Sequence, residues 1–158
     1  MGWLSAIAQP ADRVIAVVGR QAVTESDTRM MSMLDALDPN DLPLGPASEE
    51  RAIHEAAVRE RAGDVAVYLP DDEQLYVRMQ SLKESFPTNE AWSEYLSRHG
   101  VDENDLEAIV KRRLVVEQFI RRNVDVGPDD PDFQRAVQAL FEDTLRRIVV
   151  RTIPPHPR

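Results

Sequence analysis

Cysteine is absent from this 158-residue chain, which removes disulfides, thiolate nucleophiles and every cysteine-based metal site. The absence leaves the redox compartment open, because an oxidising space permits disulfides without requiring them. No apolar run approaches the roughly 20 residues that a helix needs to cross a bilayer. Positive charge is also short: 19 Lys and Arg stand against 28 Asp and Glu, a formal net charge of -9 at pH 7. That balance excludes a general nucleic-acid binder, whose affinity would come mainly from neutralising phosphates. The local basic runs, Lys111-Arg112-Arg113 and Arg121-Arg122, have acidic residues around them and read as solvated helix faces.

Catalytic constellations are missing too. His54-Glu55 resembles the start of a zinc-protease helix, but Val58 stands where the second histidine would have to ligate the same metal. His99 reads as a helix C-terminal residue that satisfies local carbonyls, and His156 lies among prolines where nothing orients it. The acidic pairs Glu49-Glu50, Asp71-Asp72 and Asp129-Asp130 fall at helix starts or bends, where capping and solubility account for them. No glycine-rich phosphate loop follows a strand, and Ser5, Ser26 and Ser32 have no base arranged beside them. The expectation is a protein that is not an enzyme and takes no cofactor or metal.

What is present is a succession of short elements that one domain can hold. Asp102 to Asn123 carries Leu106, Ile109, Val110, Leu114, Val116, Phe119 and Ile120 at helical spacing, which predicts a central rod. Gly100 is placed to end the preceding helix and Asp102 to cap the new one. Val14–Val18 and Ala22–Thr24 predict a hairpin turning at Gly19, and Thr24 with Asp27 opens a helix with Met30, Met33, Leu34 and Leu37 on its apolar stripe. A second helix starts near Ser48. Its alanines favour helix but bury little area, and Gly63 leaves open whether Val65 to Leu69 continues it. Asp71 and Gln74 form a cap pair ahead of Leu75, Met79, Leu82 and Phe86. Trp92, Tyr95 and Leu96 share the face of a short helix after Pro87-Thr88. A last helix from about Asp132 turns Phe133, Val137, Leu140, Phe141 and Leu145 inward, and residues 148–153 revert to extended structure before a proline-rich tail.

This order resembles the N-terminal domain of the SurA and PpiC-type periplasmic chaperones and prolyl isomerases. The segments that carry the resemblance are DRVIAVVGRQAVTESD at 12–27, LPDDEQL at 69–75 and AWSEYLSRHGVDENDLEAIVKRRLVVEQFI at 91–120. It implies a mostly α fold: a SurA N-domain-like helical module over residues 12–153, with a small antiparallel sheet completed by a C-terminal strand set against Val14–Val18. The stretch after Asn123 is too short for the parvulin-type isomerase domain of the family, so no isomerase site is carried over. The second helix, AIHEAAVRERAG, is richer in alanine and charge than the family's leucine-rich version.

The expected function is ATP-independent, chaperone-like binding of unfolded or extended polypeptide. Methionines on the first helix, Met30, Met31 and Met33, would give adaptable apolar contact, and the strand that carries Val14 and Ala16 would offer backbone for β-addition. The alternative is a structural or assembly subunit that uses the same module to form homo-oligomers or dock a protein partner. Residues 1–11, with Ala6-Ile7-Ala8 ahead of Gln9-Pro10, read either as the remnant of a secretory signal or as a flexible N-terminus. The resemblance and that pattern place the expectation in the periplasm or at its membrane surface, with the cytoplasm as the alternative. Residues 154–158 are expected to be a proline-rich tail.

Overall fold

The computed structural model describes residues 12–38 and 42–155. The signal-like residues 6–9, residues 39–41 and His156 therefore lie outside the described residues. The chain runs β1 (Val14–Val18), β2 (Gln21–Thr24), α1 (Glu25–Leu37), α2 (Glu49–Ala62), a single 3-10 turn (Ala66–Tyr68), α3 (Asp72–Glu84), α4 (Asn89–Arg98), α5 (Glu103–Asn123), α6 (Phe133–Arg146) and β3 (Val150–Thr152). The fold is mostly helical with one small antiparallel sheet.

Side-chain capping sets most helix starts. Thr24 accepts the Asp27 N–H while the Asp27 carboxylate accepts the Thr24 N–H, so the shorter acid completes the reciprocal box. Asp71 with Gln74 and Asp102 with Asp105 repeat the arrangement, and Ser48 and Thr88 cap α2 and α4 from one side. At Gly100, φ is 69°, and the Val101 N–H reaches back to the Leu96 carbonyl at 3.1 Å. That left-handed residue, cheap only for glycine, lets the chain turn from α4 into α5 through only the four residues 99–102.

The sheet order is β2-β1-β3, with β1 central and both neighbours antiparallel. β2 starts one residue earlier than the apolar pattern suggests because Gln21 pairs with Val18 across the tight Gly19-Arg20 turn. Gly19 has φ 57°, and a Cβ there would meet the Glu60 side chain at 2.7 Å, so strand turn and α2 meet closely at this point. β3 is narrower than the β-branched run 148–153. Val149 is 70% exposed and Ile153 41% exposed, because β3 is an edge strand with only part of its surface covered.

α5 does act as a rod. Its first half, through Leu106, Val110 and Leu114, packs with Leu82 of α3, Trp92 and Leu96 of α4, and Met33, Leu34 and Leu37 of α1. Its second half, through Val115, Val116, Phe119 and Ile120, packs with Val58 and Ala62 of α2 and Phe133, Val137 and Phe141 of α6. A third cluster joins Ile15, Ala16, Val18 and Val23 of the sheet to Met31, Ala52, Ala56 and Ala57. The expectation that α2 buries little is overturned: it packs on α1, α5, α6 and both hairpin strands, and Ala56, Ala57, Val58 and Ala62 are fully enclosed. Its alanines lack bulk, and that is why sheet and helices can all approach its backbone. Gly63 ends α2 rather than interrupting a longer helix, and a 3-10 turn follows.

Candidate functional site

An open concavity of about 610 Å³ lies between α1 and the N-terminal half of α5, with the His99-Gly100-Val101 turn in its lining. Two ion pairs tie its walls together. Near one end Arg112 of α5 reaches Asp27 of α1 at 3.4 Å, and deeper in, Arg113 reaches Asp35 at 3.0 Å. Helical spacing explains the arrangement: Asp27, Met31 and Asp35 lie at steps of four along one face of α1. Met30, Met31 and Leu34 from α1 and Ala108 and Ile109 from α5 supply the apolar lining between the pairs.

Below the lining is a closed ring of buried charges. Arg51 donates from Nη1 and Nη2 to the two Asp35 oxygens at 2.6 and 3.1 Å and from Nε to Glu55 at 2.8 Å. Arg113 completes the ring, with Asp35 at 3.0 Å and Glu55 at 3.5 Å. A further bond from Arg51 Nη1 to the Gly45 carbonyl, 2.9 Å, fastens the loop before α2. The solvated-face reading of Lys111–Arg113 is thus corrected at Arg113, which is only 4% exposed, because its position on α5 points at α1 and α2 rather than outward. Arg59 sits near this ring and donates from Nε to the Gln21 side-chain oxygen at 3.3 Å. Desolvation by burial lowers its pKa; Glu55 works against that shift, while Arg112 adds to it by repulsion.

A second buried cluster joins α1, α3 and α5. Arg78 donates to Asp38 at 2.7 Å and to both oxygens of Glu117 at 3.0 and 2.8 Å. Desolvation opposes the Arg78 charge, but the hydrogen bond and charge of Glu117, with those of Asp38, outweigh it and raise its pKa. One turn along α2 from Arg51, His54 is buried against the Phe141 ring at a centroid distance of 5.4 Å. Burial lowers its pKa, while Glu50 and Glu142 pull the other way. Among the described residues no group of three or more His, Cys, Asp or Glu side chains is placed to hold a metal ion, and no helix is long and apolar enough to cross a membrane.

Of the residues singled out in the sequence, Met30 and Met31 come together in the groove. Met30 is half-buried and Met31 is 7% exposed, while Met33 faces away into the α3–α4–α5 core at 4%. Val14 and Ala16 are not part of the groove; their strand is central, with β2 along one side and β3 against Ala16 to Val18 on the other. Among the described residues the outer strands of the sheet are β2 and β3. Residues that the sequence did not connect with binding are Arg29, Ala108 and Ile109, which the groove brings together with Arg112, a member of the basic run 111–113 expected to favour acidic clients. Their signal was faint: a spacing of three and four on α5, hidden by the stronger apolar stripe beside it.

No protein-family model and no curated protein matches the chain. Functional conclusions therefore rest on the groove, the two charge clusters and the exposed apolar surface. That surface is concentrated in one stretch, where Val65, Val67 and Leu69 around the 3-10 turn and Tyr76 and Val77 on α3 are 40% to 63% exposed.

Proposed function

We propose that the chain is a non-catalytic, ATP-independent polypeptide-binding protein of the SurA/PpiC N-domain type, which holds unfolded or extended chains in the groove between α1 and α5, as a periplasmic or exported chaperone would. The observation that carries this reading is the groove itself: it is open and of peptide side-chain size, and the adaptable thioether of Met30 lies beside Ile109 and the small Ala108. Its floor is rigid, since the buried ring of Asp35, Arg51, Glu55 and Arg113 fixes three helices relative to one another. A rigid floor under flexible lining suits a surface that accepts many apolar side chains without reorganising.

The test is suppression of aggregation of an unfolded outer-membrane-type protein by purified chain. Ala108 is exposed, so Ala108→Trp fills the groove without entering the core. Groove binding predicts that protection falls severalfold in Ala108→Trp and in Met30→Gln while thermal unfolding stays near that of the parent. Unchanged protection in both folded variants would reject the groove as the site.

The exposed stretch Val65 to Val77 favours a second reading, an assembly subunit that buries this surface against a partner or another copy. Self-association measured by light scattering separates the two. A stable oligomer that is dissolved by Tyr76→Asp and gives no protection to any unfolded client supports assembly.

A further inference from the structure

Besides its apolar lining, the groove carries cations whose carboxylate partners are weak or absent. Arg29 lines it from α1 and donates from Nη2 to the Ser26 hydroxyl at 2.7 Å, and no ion pair within 4 Å involves it among the described residues. Arg112 lines it from α5, and its one ion pair, to Asp27, is long at 3.4 Å and leaves its side chain 55% exposed. Arg59, near the same groove residues, has the neutral amide oxygen of Gln21 as its acceptor and likewise makes no ion pair among the described residues. Glu55 and Arg113 on the floor satisfy each other within the buried ring, and the Asp105 carboxylate accepts the Asp102 N–H at the start of α5. The charged lining is balanced, Arg29, Arg112 and Arg113 against Asp27, Glu55 and Asp105, so in a chain of net charge -9 the groove is less acidic than the chain as a whole.

We propose that the groove selects polypeptides by a carboxylate next to an apolar side chain, the apolar group entering over Met30 and Ile109 and the carboxylate accepting hydrogen bonds from Arg29 and Arg112. This deepens the polypeptide-binding reading and rests on it. A guanidinium fork holds a carboxylate through two parallel N–H donors when a neighbouring wall fixes its approach, and Met30 and Ile109 line the same groove as the two arginines. The carboxylate has two sources in a polypeptide, the chain terminus and a Glu or Asp side chain. Both present the same pair of oxygens.

The experiment uses the full chain and an N-acetylated octapeptide ending in three leucines. It is supplied as the free acid, as the C-terminal amide, and as the amide with glutamate in place of the first of those leucines, with affinities read from NMR chemical-shift titrations. The free acid is expected to bind about three- to tenfold more tightly than the plain amide at low salt, with the preference shrinking as salt is raised. In the double variant Arg29→Gln, Arg112→Gln the preference disappears while apolar binding of the amide remains. If the glutamate peptide matches the free acid, the side chain serves as well as the terminus; if it matches the plain amide, the terminus is the ligand. Equal affinity for all three peptides overturns the carboxylate inference and leaves polypeptide binding intact. No binding of any peptide overturns it as well, and client protection then decides separately whether the polypeptide-binding reading stands.

Discussion

The two faces of α5 are held in contrasting ways. Toward α4 the contact is mainly apolar, with Leu106, Val110 and Leu114 packed with Trp92 and Leu96. Toward α1 and α2 apolar packing is joined by buried charge, with Arg113 locked between Asp35 and Glu55 and Arg51 closing the ring, and toward α3 Glu117 pairs with Arg78. Apolar packing is non-directional and tolerates exchange of similar volumes, whereas a buried ion ring fixes orientation and suffers badly when one member is lost. The rigid charged side is the one that forms the groove floor.

Breaking the charged ring with Arg113→Met is expected to give the largest loss, about 3–5 kcal/mol, because Glu55 stays buried and Asp35 half-buried with a partner missing. Urea unfolding measures it, and adding Glu55→Leu should recover much of the loss; no recovery would mean that the ring acts through packing rather than charge. On the apolar face Leu106→Ala should cost about 2–5 kcal/mol, and no partner substitution restores it. A cost below about 1 kcal/mol would contradict the enclosed position of Leu106.

Deleting residues 148–158 should cost more than deleting 154–158, by about 2 kcal/mol, because Ile148 and Val150 are half-buried against the sheet while Val149 and Ile153 are largely exposed. Equal melting temperatures would show that β3 adds nothing to β1. The smallest effect belongs to His54. Its folded-state pKa lies below the ordinary 6.5, so the unfolded chain binds more protons there and stability from this group is present above that value and lost as pH falls below it. Between pH 7 and 5 the parent should lose more stability than His54→Leu, and parallel losses in the two would contradict the assignment.

Local chemistry was legible in the sequence because it is local. Thr24-Asp27, Asp71-Gln74 and Gly100 announce their helix ends through side chains three residues away or through a backbone only glycine adopts readily, and each does what its pattern suggests. The burial of α2 was not legible, since alanine gives a weak hydrophobic signal and its value here is the space it does not fill. Arg113 was hidden for a related reason. Next to Lys111 and Arg112 it reads as surface, and only the arrival of Asp35 and Glu55 from other helices makes its burial favourable. The groove is legible least of all, being a gap between α1 and α5, distant in sequence and joined by the pair Arg112–Asp27.

Methyl NMR of the full chain during titration with an unfolded outer-membrane-type polypeptide tests groove binding most directly, because the Met30 and Ile109 methyls report on the groove and those of Val67 and Val77 on the exposed apolar stretch. Binding in the groove predicts shifts or broadening at Met30 and Ile109, abolished by Ala108→Trp, with Val67 and Val77 unaffected. Perturbation confined to Val67 and Val77, or none at saturating client, would contradict it.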